Sequence, residues 1–98
     1  MSLKISDIKI VPIRQQGSLW GFATVLINNV LELQQIGIHT RPSGGWRATF
    51  PAKKLKDGRL QFFYRFIDTE AEDQLTQAIT SKIRWLGLWE FELEENEN

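Results

Sequence analysis

The chain has 98 residues, 42% apolar and 24% charged, with 12 Lys/Arg against 12 Asp/Glu. That length holds one hydrophobic core and no second. The absence of Cys excludes a disulfide framework and a thiolate metal site, and one His leaves no imidazole set for zinc.

The longest apolar run, Ala23 to Ile27, includes Thr24 and is far too short to cross a bilayer. Met1-Ser2-Leu3-Lys4 carries no apolar signal stretch. The expectation is a cytoplasmic protein with no membrane partner. The neutral total hides an asymmetry. Residues 39 to 67 carry Arg41, Arg47, Lys53, Lys54, Lys56, Arg59 and Arg65 against Asp57 alone. Residues 68 to 98 carry nine acids against Lys82 and Arg84. Such a split suits an anion-binding middle with an acidic end, or an acidic end folded over a basic middle. The residues leave both open.

In chain order, Ile5, Ile8, Ile10 and Ile13 mark a first strand, with Pro12 placing it at a sheet edge or strand end. Gln15 to Ser18 reads as a turn, and Leu19 to Ile27 as a strand covered on both faces. Asn28-Asn29 predicts a hairpin turn, because Asn tolerates left-handed backbone. Val30 to Ile38 continues as a strand whose phase slips. Leu33 is on an odd position while Ile36 and Ile38 are on even ones, so a β-bulge is expected near Gln34-Gln35. Pro42 to Gly45 turns the chain into a short strand, where Trp46, Ala48 and Phe50 alternate with polar residues. Pro51 to Gly58 reads as a basic loop. Leu60, Phe62, Tyr64 and Phe66 share one face of a further strand, which a helix or another subunit should cover.

Thr69 with Glu72 three residues later predicts a capping box. Ala71, Leu75, Ile79, Ile83 and Leu86 then form one apolar helical stripe, stopped at Gly87. Trp89, Phe91 and Leu93 alternate with Glu and could add a short strand; residues 94–98 read as a flexible acidic tail. The fold class is α+β, an antiparallel sheet of about five strands followed by one long C-terminal helix, in a single domain over residues 1–93.

Little in the chain carries catalysis. His39 stands alone, no phosphate-cradling Gly loop is present, and nothing marks Asp7 or Asp68 as perturbed. No enzyme activity, cofactor or metal is expected. The informative segment is Pro51-Ala52-Lys53-Lys54-Leu55-Lys56-Asp57-Gly58-Arg59, four cations within seven positions. Cations on a short connection between strands can neutralise phosphates and release counterions. Trp46, Phe63 and Tyr64 flank them and would stack bases if exposed, although alternation already accounts for them as core.

Around this segment the chain resembles the stage V sporulation protein G (SpoVG) family. The run Gly45 to Lys54, closing at Asp57-Gly58, is similar to that family's glycine, apolar strand, proline, basic pair and Asp-Gly turn. Lys4 to Ile10, Gly17, Ala23 to Ile27, Ile36 to Ile38 and Thr69-Glu70 fall in register with it, so the resemblance spans about residues 4 to 84. It implies a homodimer joined through β-strand pairing that binds DNA, in some members RNA, as a regulator. It assigns nucleic-acid contact to Lys53 and Lys54; Lys56 and Arg59 extend that set by proximity, and Arg41 and Arg47 by charge. The chain departs from the family in lacking basic residues at Ser18, Trp20, Gly37, Glu72 and Gln74. The alternative is a protein-interaction or scaffold module that has lost nucleic-acid binding and docks through Trp85, Leu88, Trp89 and Phe91, since Trp is enriched in binding hot spots.

Overall fold

The computed structural model describes residues 3–88. Within them, β1 (Ile5–Gln16), β2 (Leu19–Ile27), β3 (Leu31–Thr40) and β4 (Trp46–Thr49) form an antiparallel sheet in that order. β5 (Ala52–Lys54) and β6 (Leu60–Phe62) pair as a separate two-stranded ribbon, and α1 (Thr69–Trp85) follows. The architecture is the α+β arrangement the sequence predicts. The difference is local: part of the expected basic loop is strand β5, and only Leu55 to Arg59 turns.

Local chemistry sets the hairpins. Asn28 and Asn29 both have positive φ, 51° and 60°, and Val30 N–H donates to the Ile27 carbonyl at 3.0 Å. Both central residues are thus left-handed, as in the hairpin turns that match sheet twist. Lys4 secures the same corner by donating its backbone N–H to Asn28 Oδ1 at 2.9 Å. Of the four register shifts in the sheet, three keep the apolar residues in phase. Gln35 has φ 62°, and the pairing jumps from Ala23↔Ile36 to Val25↔Leu33. That extra residue lets Leu33, Ile36 and Ile38 all be buried, as the slipped pattern requires. Asp7, φ 49°, does the same in β1 between Ser6↔Leu26 and Lys9↔Thr24. Trp20 is the extra residue between Leu19↔His39 and Gly21↔Ile38. Sequence parity hides that third shift, and Trp20 becomes fully buried.

Pro12 lies on the outer strand β1, where a missing N–H breaks no inner ladder. Opposite it, Gly21 is required by space, since an added Cβ would sit 2.7 Å from the Val11 carbonyl oxygen.

α1 covers one face of the sheet. Ala71, Leu75, Ile79 and Ile83, four residues apart, are all buried, and the last three join Trp20, Val25, Ile36, Ile38 and Trp46 in one core. Trp20 and Trp46 pack with ring centroids 5.7 Å apart. The helix cap is Asp68, one residue before the expected Thr69: its Oδ1 accepts from Glu70 N–H at 3.0 Å. Acidic Glu70 and Glu72 in the first turn and basic Lys82 and Arg84 in the last complement the helix dipole. At the far end Gly87, φ 77°, donates to the Arg84 carbonyl and Leu88 N–H to the Ile83 carbonyl, both at 3.0 Å. This is a Schellman closure, and Leu88 packs back on the core as its apolar anchor. Leu86 therefore leaves the stripe and is exposed.

The expected strand face from Leu60 to Phe66 divides. β6 ends at Phe62, so Leu60 and Phe62 remain exposed. Tyr64 and Phe66 fold back onto Phe50, with centroids at 5.3 and 5.4 Å. Tyr64 Oη donates to the Gln34 carbonyl at 2.5 Å, tying the chain after the ribbon to the β3 bulge. Burial raises the Tyr64 pKa, keeping it a neutral donor.

Candidate nucleic-acid interface

The six cations singled out by sequence are all exposed, in two groups. Lys53, Lys54, Lys56 and Arg59 belong to the β5–β6 ribbon. Lys53 lies opposite Gln61 and Lys54 opposite Leu60, with Ala52 opposite Phe62. Strand alternation therefore puts Lys53 and Gln61 on one face, and Lys54 with Leu60 and Phe62 on the other. The ribbon's tip is closed by Leu55 N–H donating to the Arg59 carbonyl at 2.8 Å and Gly58 N–H to the Leu55 carbonyl at 2.9 Å. At the base, Phe63 N–H donates to the Pro51 carbonyl at 3.0 Å, extending the ladder by one step. This places Phe63 on the Lys53 face.

Electrostatics separates these cations. Arg59 Nε pairs with Asp57 Oδ2 at 2.6 Å, and Arg59 N–H donates to Asp57 Oδ1 at 3.0 Å. It is the only ion pair among the described residues. Lys53, Lys54 and Lys56 have no carboxylate partner among the described residues, whereas Arg59 shapes the turn. An exposed surface pair of this kind contributes at most about 1 kcal/mol.

The other group belongs to the sheet. Arg47 lies on β4 opposite His39, and Arg41 opens the turn before β4. His39 shares a hydrogen bond with Ser18 at 2.9 Å, from Nδ1 to Oγ. Its pKa is lowered, first by burial and second by the positive charge of Arg47. Of the flanking aromatics, Trp46 is buried and Tyr64 half-buried, whereas Phe63 is 65% exposed. Phe63 is thus the aromatic that shares a face with a ribbon lysine, a placement that the register of β6 decides.

The second residue set is only partly in view. Trp85 is 78% exposed, with Lys82 Nζ 4.7 Å from its ring centroid. Leu88 is occupied as the anchor of the helix cap. Trp89, Phe91 and the tail from 94 to 98 lie outside the described residues. Among the described residues no cluster of three or more His, Cys, Asp or Glu could hold a metal ion. No described helix is long and apolar enough to cross a membrane.

A relative in Archaeoglobus fulgidus named "Putative septation protein SpoVG" is 24% identical over 76 residues, covering 78% of this chain and 88% of the relative. The SpoVG family model matches residues 3–84, which include every described strand, the ribbon and nearly all of α1. With most of its length matched by that model, the chain belongs to the SpoVG family.

Proposed function

We propose that the protein is a dimeric nucleic-acid-binding regulator that grips phosphates with the β5–β6 ribbon and has no catalytic role. The observation that carries this is the exposure of Lys53, Lys54 and Lys56 on a narrow ribbon with no described carboxylate partner. Lysines so placed attract any polyphosphate backbone and read no base directly. Phe63, exposed beside the Lys53 face, offers a stacking surface, which favours single-stranded DNA or RNA over a closed duplex.

A second copy supplies the rest. Leu60 and Phe62, on the ribbon face opposite Phe63, are 60% and 42% exposed, and Ile67 is 93% exposed, so one protomer leaves these apolar side chains uncovered. The ribbon's outer edges can extend by strand pairing with a partner, which would double the lysine set across a two-fold axis. The experiment is a fluorescence-anisotropy titration of unrelated single-stranded sequences with wild type and Lys53→Ala/Lys54→Ala. The double variant should bind every sequence at least about tenfold more weakly at low salt. Equal affinity would remove these lysines from the mechanism.

The alternative, docking of a protein partner, draws on the exposed Trp85 ring. It predicts no salt-dependent nucleic-acid binding, and that Trp85→Ala leaves folding unchanged but abolishes capture of that partner.

A further inference from the structure

A polar cleft lies away from the ribbon, between the turn preceding β4 and the last turns of α1. Its volume is about 450 Å³. Thr76, Thr80 and Arg84 recur every fourth residue along α1, with Ser81 beside them, and together they line one wall. This face is one step around the helix from the buried row of Leu75, Ile79 and Ile83. Arg41 and Trp46 line the opposite wall, where the chain turns through Gly44 and Gly45.

The chemistry of this lining is one-sided. The side chains of two arginines, two threonines and a serine line the cleft, and no carboxylate among the described residues does. Neither Arg41 nor Arg84 has an ion-pair partner among the described residues. Trp46 is buried, and its indole N–H has no acceptor among the described residues. Opposing α1's C-terminal dipole is no obstacle, because the Schellman closure satisfies carbonyls of the last turn and Lys82 and Arg84 are both cationic. Paired guanidinium forks with hydroxyl donors match the oxygens of a tetrahedral oxyanion.

We propose that this cleft is a phosphate-binding site, seating one phosphoryl group between Arg41 and Arg84 with Thr76, Thr80 and Ser81 as donors. The phosphate belongs either to a free phosphorylated small molecule or to a nucleic-acid strand. The site does not depend on the ribbon lysines.

The test is an ¹⁵N-resolved NMR titration of the full chain, following the Trp46 indole N–H and the arginine Nε–H signals. The probes are inorganic phosphate, adenosine monophosphate, and a short single-stranded oligonucleotide, each against chloride at matched ionic strength. The expected result is a saturable shift of the Trp46 indole signal with at least one probe. Arg41→Gln and Arg84→Gln should each weaken that binding about tenfold or more, while Lys53→Ala/Lys54→Ala leaves phosphate affinity unchanged. A response to phosphate and the mononucleotide identifies a free small molecule as the source; a response to the oligonucleotide alone identifies the strand. Absence of a saturable shift with all three probes would overturn the site. So would Arg variants, shown folded by their spectra, that bind like wild type, or a phosphate response lost with the ribbon lysines.

Discussion

At the scale of single residues, two positions test the packing and the electrostatics. Gly21 faces Pro12 with no room for a methyl group, because a Cβ would meet the Val11 carbonyl oxygen at 2.7 Å. Gly21→Ala should therefore destabilise the fold by about 1–3 kcal/mol in urea unfolding. His39 has a pKa below its ordinary 6.5, owing first to burial and then to Arg47. The folded state thus favours the neutral ring. As pH falls below about 6.5 the unfolded chain takes up the proton first, so stability declines until the lower folded pKa is passed. His39→Gln should lose that component of the pH dependence between pH 7 and 5; an unchanged profile would remove His39 as its source. The sequence shows His39 only as a lone imidazole, since its partner Ser18 lies 21 residues away across the β2–β3 pair. Phe63 is likewise illegible, because its exposure follows from where β6 stops.

Elements were legible wherever a local rule governs them. The Asn28-Asn29 turn and the Gln34-Gln35 bulge follow from φ tolerance and from the phase of Leu33, Ile36 and Ile38. The four-residue spacing of Ala71, Leu75, Ile79 and Ile83 likewise specifies the buried face of α1. Ile79→Ala should cost about 2–5 kcal/mol, since Ile79 is enclosed between helix and sheet. Asp68→Ala should cost about 1 kcal/mol by removing the acceptor for Glu70 N–H, and Thr69→Ala less, which would separate the observed cap from the one expected at Thr69. The ribbon was the element least legible. Its β5 is three residues long, and Lys53 and Lys54 interrupt any apolar alternation, so pairing with Leu60 to Phe62 gives no local signal. The same pairing divides the aromatic run, sending Tyr64 and Phe66 to the core and leaving Leu60 and Phe62 outside.

For the whole molecule, the charge count along the chain located the basic segment but not its shape. Folding turns a linear run of cations into a two-faced ribbon, and Asp57 withdraws Arg59 from it. The proposed dimer would cover Leu60, Phe62 and Ile67, all exposed in one protomer. Ile67→Asp should shift the protein from dimer to monomer in light scattering while leaving the helix signal in circular dichroism intact. A dimer persisting in that variant would place the interface elsewhere. The measurement that bears most directly on ribbon binding is the salt dependence of single-strand affinity. Three ribbon lysines per protomer with no ion-pair partner among the described residues, doubled in the proposed dimer, predict a slope of log Kobs against log salt of about −4. A slope near zero, or no binding even at low salt, would contradict the phosphate-gripping role of Lys53, Lys54 and Lys56.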